Sequence, residues 1–245
     1  MTITRNLALV ILLLAFPLRD FAQGQEAQIQ AITVALQANE LSRAVELTRA
    51  ALKEFPSNAQ LWAMQGAAYA GQGQNKQALD SFRAALQISP DYIPALQGAI
   101  QIEFNDSSTA ATPHLKRLLR LRPADQTSHG MLAVLEYQQG NCAAAVVQFE
   151  KAGTLFDSKP DALHAHATCL VKLKQLDKAV GVFQRALALN PDDGRERHLL
   201  AALQLMAHQP QNALVTLQPL LQSGNADAAT LELAATAHEV SKDTP

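Results

Sequence analysis

The chain has 245 residues and a formal net charge of −2, from 20 Lys and Arg against 22 Asp and Glu. This near balance gives no argument for binding nucleic acid, and we expect no nucleic acid partner. The one dense basic stretch, Lys116 to Arg122, is interpreted either as the solvent-facing side of a helix or as a patch for lipid or phosphate.

The first 24 residues have the three-part layout of a secretory signal peptide. Arg5 precedes an apolar run from Leu7 to Leu18, and the small residues Ala22 and Gly24 follow. As a helix the run would extend about 18 Å, which is short of the roughly 30 Å hydrocarbon core of a bilayer. We therefore expect cleavage after Ala22 or Gly24, export to the periplasm or the cell exterior, and no stable membrane span afterwards. Retention as a membrane anchor is the alternative.

Beyond residue 24, alanines recur with a period of 33 or 34 residues. The series is Ala44, Ala78, Ala111, Ala145, Ala179 and Ala213. Most positions four and seven residues after each alanine are apolar as well, and a period of this length indicates a helical repeat. The apolar spacing within each repeat predicts two antiparallel helices, and such a hairpin buries its apolar stripe only by stacking on its neighbours.

The pattern places a first and a second helix in each of six repeats. The predicted first helices span residues 25–38, 59–72, 92–105, 126–139, 160–173 and 194–208. The predicted second helices span residues 41–54, 75–88, 109–121, 142–155, 176–189 and 210–222. Pro113 predicts a late start for the second helix of repeat three, with Thr112 as its cap, and Pro219 predicts a kink in the second helix of repeat six.

One repeat carries a fuller set of marker residues. They are Trp62, Gly66, Tyr69, Ala78, Phe82, Ala85 and Pro90. Through these residues the chain resembles the tetratricopeptide repeat (TPR) family over residues 25–240, although Gln65 replaces the Leu of the family pattern. The resemblance implies an all-α fold: a right-handed superhelical solenoid of about six helix–turn–helix repeats, followed by a capping helix.

The implied organisation has a signal peptide at residues 1–24 and one continuous TPR solenoid at residues 25–240. The repeats span residues 25–58, 59–91, 92–125, 126–159, 160–193 and 194–227, with a capping helix at 228–240 and a disordered tail at 241–245. Terminal repeats of solenoids need a polar outer side, so the last helix is expected to cover repeat six with Leu231, Ala234 and Ala235. In the alternative, it pairs with a second copy through Leu233, Ala237 and Val240.

The two cysteines fall on helices that pack together in a TPR stack. Cys142 opens the second helix of repeat four, and Cys169 lies near the end of the first helix of repeat five. In an exported chain this placement predicts a disulfide. Closing the intervening loop would stabilise the fold by about 3–4 kcal/mol in the chain-entropy model. Two buried free thiols are the alternative, because a sequence does not contain the geometry of the pair.

Catalytic and metal-binding patterns are not found in the sequence. His164 and His166 are two residues apart, which directs them about 200° apart on a helix and not toward one metal ion. There is no phosphate-binding glycine loop, nucleophile elbow or HExxH sequence. We therefore predict no catalytic residues, no metal, no cofactor and no enzymatic activity.

The resemblance implies that the first helices line a concave groove, which binds extended or helical segments of partner proteins. Mapped by the repeat register, the groove residues are Ala63, Ala67, Leu96, Ile100, Phe104, Val134, Tyr137, His164, Lys172 and His198. The central part is apolar and floored by small side chains, which suits an apolar or amphipathic segment. In the alternative, some of these residues are core, because a register error of one residue exchanges the two environments.

These expectations combine into one function with two alternatives. The chain is predicted to be a monomeric, exported, non-catalytic scaffold or adaptor that binds another protein or a peptide segment through its apolar groove. The alternatives are a structural subunit of a cell-envelope assembly and an accessory or truncated part of an enzyme.

Overall fold

The residues described by the computed structural model, 24–106, 109–224 and 226–242, form helices and no strands. The first helices of the repeats are α1 (24–37), α3 (Ala59–Gly71), α5 (Ile93–Asn105), α7 (Gln126–Gln138), α9 (Pro160–Lys172) and α11 (Gly194–Met206). The second helices are α2 (Leu41–Glu54), α4 (Asn75–Ile88), α6 (Ala111–Leu121), α8 (Cys142–Ala152), α10 (Leu176–Leu189) and α12 (Pro210–Gln222). A 3-10 turn (Gly153–Phe156) follows α8, and α13 (Ala228–Lys242) follows α12. The predicted all-α repeat fold is confirmed.

The predicted signal peptide lies outside the described residues, except for Gly24, which begins α1. Two of the five residues assigned to a disordered tail, 241 and 242, belong instead to the end of α13. Residues 243–245 also lie outside the described residues.

The chain divides into two compact units, residues 1–121 and 122–245. The described part of the N-terminal unit contains α1 to α6, and the C-terminal unit contains α7 to α13. Within each unit, every helix packs against the next one along the chain, and first helices also touch across repeats, as α3 touches α5 and α7 touches α9. This consecutive packing is the arrangement of a helical repeat.

The core follows the alanine period closely. All six alanines of the series that begins at Ala44 are fully buried. The first helices have a second buried series with a spacing of 34, made of Ala99, Ala133, Ala167 and Ala201. Side chains of one methyl group allow the two helices of a hairpin to approach closely, so the period records the closest helix contacts.

Phe82 on α4 fills the space between α3 and α5. A Cβ atom placed on Gly66 would lie 2.7 Å from the Phe82 ring, and one on Gly98 would also lie closer than 3.0 Å. Real Cβ atoms do not approach other atoms this closely. The two glycines therefore provide the room that the buried aromatic ring occupies.

The hairpin turns share a backbone conformation. In five of the six repeats, the second residue of a three-residue turn has positive φ, namely Asn39, Gly73, Gly140, Lys174 and His208. Glycine adopts this conformation freely, whereas a residue with a Cβ atom pays about 1 kcal/mol or more. The turn positions are therefore equivalent in geometry and unequal in strain.

Repeat three is shortened inside its hairpin. Its first helix, α5, begins 34 residues after α3, whereas Ala111 follows Ala78 by 33. The missing residue therefore lies between α5 and α6. The predicted helix start at Pro113 is wrong, since α6 begins at Ala111 and places Thr112 inside the helix. Proline is accepted there because the first-turn N–H groups of a helix have no intrahelical acceptor.

The last helix covers repeat six with a different strip from the one predicted. Its buried residues are Thr230, Ala234 and Ala237, and the two alanines join the core cluster that contains Ala201, Ala213 and Leu217. Leu231 and Ala235 are exposed and do not belong to the covering strip. Before it, α12 continues through Pro219 to Gln222.

Candidate partner-binding surface

Three of the predicted groove residues are core residues. Ala63 is 4% exposed, Leu96 is 0% exposed and Ile100 is 3% exposed. For Leu96 and Ile100 the cause is the shortened hairpin, because the spacing of 33 seen in the second helices does not apply to the first helices. For Ala63 the cause is packing, since it lies in the cluster formed by α1 to α5.

The corrected register defines a first-helix face at the repeat positions of Ala67, Ala70 and Gly71. In the N-terminal unit, α5 contributes Gln101, Phe104 and Asn105 at these positions. Gln101 and Asn105 are exposed, Phe104 is half-buried, and Gln101 Nε2 donates a hydrogen bond to Asn105 Oδ1 at 3.0 Å. This face is therefore uncharged, with small and amide side chains.

The C-terminal unit repeats the face three times with apolar and charged residues. On α7 the side chains are Val134, Tyr137 and Gln138; on α9 they are Thr168, Val171 and Lys172; on α11 they are Ala202, Leu205 and Met206. In each helix the first two are half-buried and the third is exposed. The strip is regular because the three hairpins share one register.

Val134 and Tyr137 are partly core residues as well. Both pack against the cluster of buried side chains that surrounds Cys142 and Cys169. Their exposed portions form the surface, whereas their buried portions stabilise the repeat. Tyr137 is therefore a poor site for a simple test by truncation, and Met206, which is 57% exposed, is a better one.

Two predicted groove histidines lie next to this strip. His164 Nδ1 is 3.7 Å from Glu196 Oε2, and the His164 ring meets the edge of Phe183 with the ring centroids 5.5 Å apart. Burial raises the pKa of Glu196, and the nearby His164 opposes this effect. His198 Nδ1 lies 3.4 Å from Thr230 Oγ1. Both histidines connect neighbouring helices and flank the strip.

A buried carboxylate organises the N-terminal unit. Glu103 is buried, its Oε1 accepts a hydrogen bond from Arg83 at 3.1 Å, and its Oε2 lies 2.9 Å from His114 Nδ1. Burial alone would raise the pKa of Glu103, but the hydrogen bonds and charges of His114 and Arg83 outweigh it, and the pKa is lowered. One repeat earlier, Arg49 donates to the Tyr69 hydroxyl at 2.8 Å in the equivalent position. This network is structural, since each group is already paired.

Cys142 and Cys169 form a disulfide between the start of α8 and α9. Both cysteines are buried, and their sequence separation is 27 residues. The link closes the junction between repeats four and five in the C-terminal unit.

Two further features were sought in the described ranges. Among residues 24–106, 109–224 and 226–242, no three His, Cys, Asp or Glu side chains are grouped as metal ligands. Over the same part of the chain, every helix is too short or too polar to cross a bilayer.

Solved structures share this fold at low sequence identity. YrrB, described as a TPR protein with an unusual peptide-binding site, is 20% identical, with a TM-score of 0.60 over 73% of this chain and 96% of that one. A TPR protein from Parabacteroides merdae is 20% identical, with a TM-score of 0.55 over 90% of this chain and 88% of the other. PilF of Pseudomonas aeruginosa is also 20% identical, with a TM-score of 0.52 over 89% of this chain and 99% of that protein.

A curated relative and family models agree with the fold. Protein CTR9 homolog of Arabidopsis thaliana is 29% identical over 148 residues, which are 60% of this chain and only 10% of the plant protein. Tetratricopeptide repeat models match residues 29–93, 104–162 and 160–193. Such repeats imply a scaffold for protein–protein interaction, and proteins built from them are generally non-catalytic. The chain belongs to the tetratricopeptide repeat family.

Proposed function

We propose that this protein is an exported, monomeric and non-catalytic scaffold that binds an extended segment of a partner protein. The binding surface is the first-helix face of the C-terminal unit. The observation that carries the proposal is the regular strip on α7, α9 and α11, in which partly exposed apolar side chains recur in three successive repeats.

The chemistry of the strip suits a segment with apolar side chains and a carboxylate. Covering the exposed parts of Tyr137, Leu205 and Met206 would remove apolar area from water, at about 25 cal/mol for each Å². Lys172 supplies an exposed positive charge beside them. The described peptide-binding site of YrrB, which shares the fold, supports a peptide segment as the occupant.

Export is supported by the arrangement of residues 1–24 and by the disulfide. Arg5, the apolar run and the small residues at 22 and 24 have the order of a secretory signal. A buried Cys142–Cys169 disulfide is typical of oxidising compartments. Mass spectrometry of the protein from its own cells should find a mature N-terminus at Gln23 or Gln25. An intact Met1 in the membrane fraction would contradict export with cleavage.

The binding surface is tested with two matched charge substitutions. Met206→Asp places a carboxylate on the first-helix face, and Val147→Asp places one at a similarly exposed residue of α8, which is a second helix. The mature chain is used as bait in envelope extract. We expect Met206→Asp to reduce capture of the partner about tenfold or more, and Val147→Asp to leave it unchanged. Equal capture by both variants would remove the first-helix face from consideration.

A further inference from the structure

A cavity of about 410 Å³ lies in the C-terminal unit, away from the first-helix strip. It opens between α8, the 3-10 turn, α9 and α10. Its walls include Phe149, Phe156, Leu163, Leu170 and Val182. Cavities of this size and lining are typical of sites for small ligands or for single side chains.

Two glycines create the cavity, and the repeat register makes this visible. The position of Gly153 is a leucine in each of the other five repeats, namely Leu52, Leu86, Leu119, Leu187 and Leu221. The position of Gly181 has a larger residue in each of the others, namely Glu46, Asp80, Pro113, Val147 and Val215. Both glycines line the cavity. A Cβ atom on Gly181 would meet no atom within 4 Å, so the vacated space is not refilled.

The aromatic ring that could have filled the space is directed elsewhere. Phe156 packs on Gly130, where an added Cβ atom would lie closer than 3.0 Å to the ring. The 3-10 turn that begins at Gly153, whose φ is +62°, carries the chain and Phe156 to this place. Phe156 thus contributes a wall and leaves the interior open.

An imidazole with unused hydrogen-bonding capacity faces this space. The His166 ring stacks on Phe149, with the centroids 4.9 Å apart and the planes 17° from parallel, and it lines the cavity. Burial, with help from the charge of Arg185, lowers the pKa of His166 to about 4. The ring is then neutral at pH 7 and offers one donor and one acceptor. Within the described residues, neither ring nitrogen has a hydrogen-bond partner.

The charges at the rim are already balanced. Lys178 Nζ donates to Glu150 Oε1 at 2.9 Å, and Arg185 Nε lies 3.4 Å from Asp157 Oδ1. Asp177 Oδ1 accepts a hydrogen bond from Gln209 Nε2 at 3.0 Å. Because both cations are paired with carboxylates, the rim does not favour a phosphate or carboxylate ligand. An uncharged ligand is the better match.

We propose that this cavity binds an aromatic ring carrying one hydrogen-bonding group, such as a phenol or an indole. The ring would stack among Phe149, Phe156 and His166, and its O–H or N–H would donate to the free nitrogen of the imidazole. The same chemistry is available from a free small molecule and from a Tyr or Trp side chain of a partner protein. This site is independent of the proposed binding strip.

The test measures binding of indole to the mature, disulfide-bonded chain by NMR titration. Gly181→Leu fills the cavity from a position that has open space, and Val147→Leu is the control at the equivalent position of α8. We expect Gly181→Leu to weaken indole binding about tenfold or more and Val147→Leu to leave it unchanged. Unchanged binding by Gly181→Leu, or no binding to the unmodified chain at about 10 mM indole, well above the weakest affinities of interest, overturns the proposal.

A second variant separates the hydrogen bond from the packing. His166→Phe preserves the aromatic stack and removes both nitrogens. It should weaken indole binding about threefold to tenfold and leave toluene binding unchanged, since toluene has no donor. An equal effect on both ligands would contradict the assigned role of His166.

A peptide distinguishes the two sources of the ring. A glycine- and serine-rich decapeptide with one central Trp is titrated beside free indole. Binding of the peptide at least as tight as that of indole assigns the cavity to a partner side chain. Binding of indole alone assigns it to a free molecule. Binding of neither ligand overturns the proposal.

Discussion

The two units use glycine in opposite ways beneath the same repeat pattern. In the N-terminal unit, Gly66 and Gly98 lie under the ring of Phe82, so each missing side chain is replaced by aromatic packing. In the C-terminal unit, Gly181 faces open space and Gly153 lines the same cavity. The difference shows that a glycine in a helical repeat indicates close packing only when a neighbouring side chain occupies the space that it leaves.

The units also differ in what holds them together. The N-terminal unit has a buried carboxylate paired with Arg83 and His114, whereas the C-terminal unit has a disulfide and a buried neutral histidine. Acid and reductant should therefore affect the two units differently. Four comparisons make this contrast measurable.

The largest effect is expected from loss of the disulfide. Replacing Cys142 and Cys169 together with Ala should lower the free energy of unfolding by about 3–4 kcal/mol, because the unfolded chain is no longer restrained. Hydrogen exchange followed by mass spectrometry should show faster exchange in α8 to α10 and no change in α2 to α4. Reductant should reproduce the effect in the unmodified chain and have none in the double variant. Uniform loss of protection in both units would contradict a local effect.

The glycine contrast predicts two substitutions of opposite sign. Gly98→Ala should destabilise the protein by about 2 kcal/mol, because the added methyl group displaces Phe82 from its buried position. Gly181→Ala should stabilise it by about 1 kcal/mol, because alanine is the better helix former and its methyl group meets no neighbour. Urea denaturation measures both. Effects of the same sign would mean that the two sites are packed alike.

Acid should weaken the C-terminal unit at a higher pH than the N-terminal unit. The pKa of His166 is about 4 in the folded protein against an ordinary value of 6.5, so the unfolded chain binds more protons between these values. The stability that depends on His166 is therefore complete above pH 6.5 and is lost as the pH falls toward 4. The expected loss is roughly 1–3 kcal/mol.

In the N-terminal unit the pKa of Glu103 is lowered from 4.5, so its contribution is lost only as the pH falls below 4.5 through the folded value. Urea denaturation at pH 7, 6 and 5 should show a slope in the unmodified chain that His166→Phe reduces. Glu103→Gln should leave the slope in that range unchanged. Glu196, with a raised pKa, has the opposite sign, so the informative quantity is the difference between variants. An identical slope in His166→Phe would contradict the assignment.

The smallest effects are expected at the hairpin turns. Gly73 and Lys174 occupy equivalent turn positions with φ of +73° and +59°. Lys174→Gly should stabilise the protein by up to about 1 kcal/mol, and Gly73→Lys should destabilise it by a similar amount. Thermal unfolding gives both values. A loss of stability in Lys174→Gly would mean that the unfolded-state entropy of glycine exceeds the strain that is relieved.

The sequence is sufficient for the repeat fold and insufficient for part of its surface. The alanine series and the markers around Trp62 predict the helices with errors of a few residues, because close helix contacts admit only small side chains. The groove assignment fails at Leu96 and Ile100 because a single residue is missing inside one hairpin. The buried series from Ala99 to Ala201, with its spacing of 34, is the signal that would have corrected it.

The cavity illustrates a different limit. Gly153 and Gly181 stand out when the repeats are aligned, and that much can be found in the sequence. Whether the space is refilled depends on the path of the 3-10 turn and on where Phe156 packs. These are tertiary contacts, and the same glycine pattern under Phe82 gives a closed core.

The central claim, that a partner segment lies on the first-helix face of the C-terminal unit, is tested most directly by site-specific photo-crosslinking in the producing cells. A photoreactive amino acid is placed at position 206 of α11, at position 101 of α5 and at position 147 of α8, all of which are exposed. The account predicts one discrete crosslinked partner from position 206 and none from position 147, with position 101 reporting on the N-terminal unit. The same partner crosslinked from position 147 and not from position 206 would contradict the account.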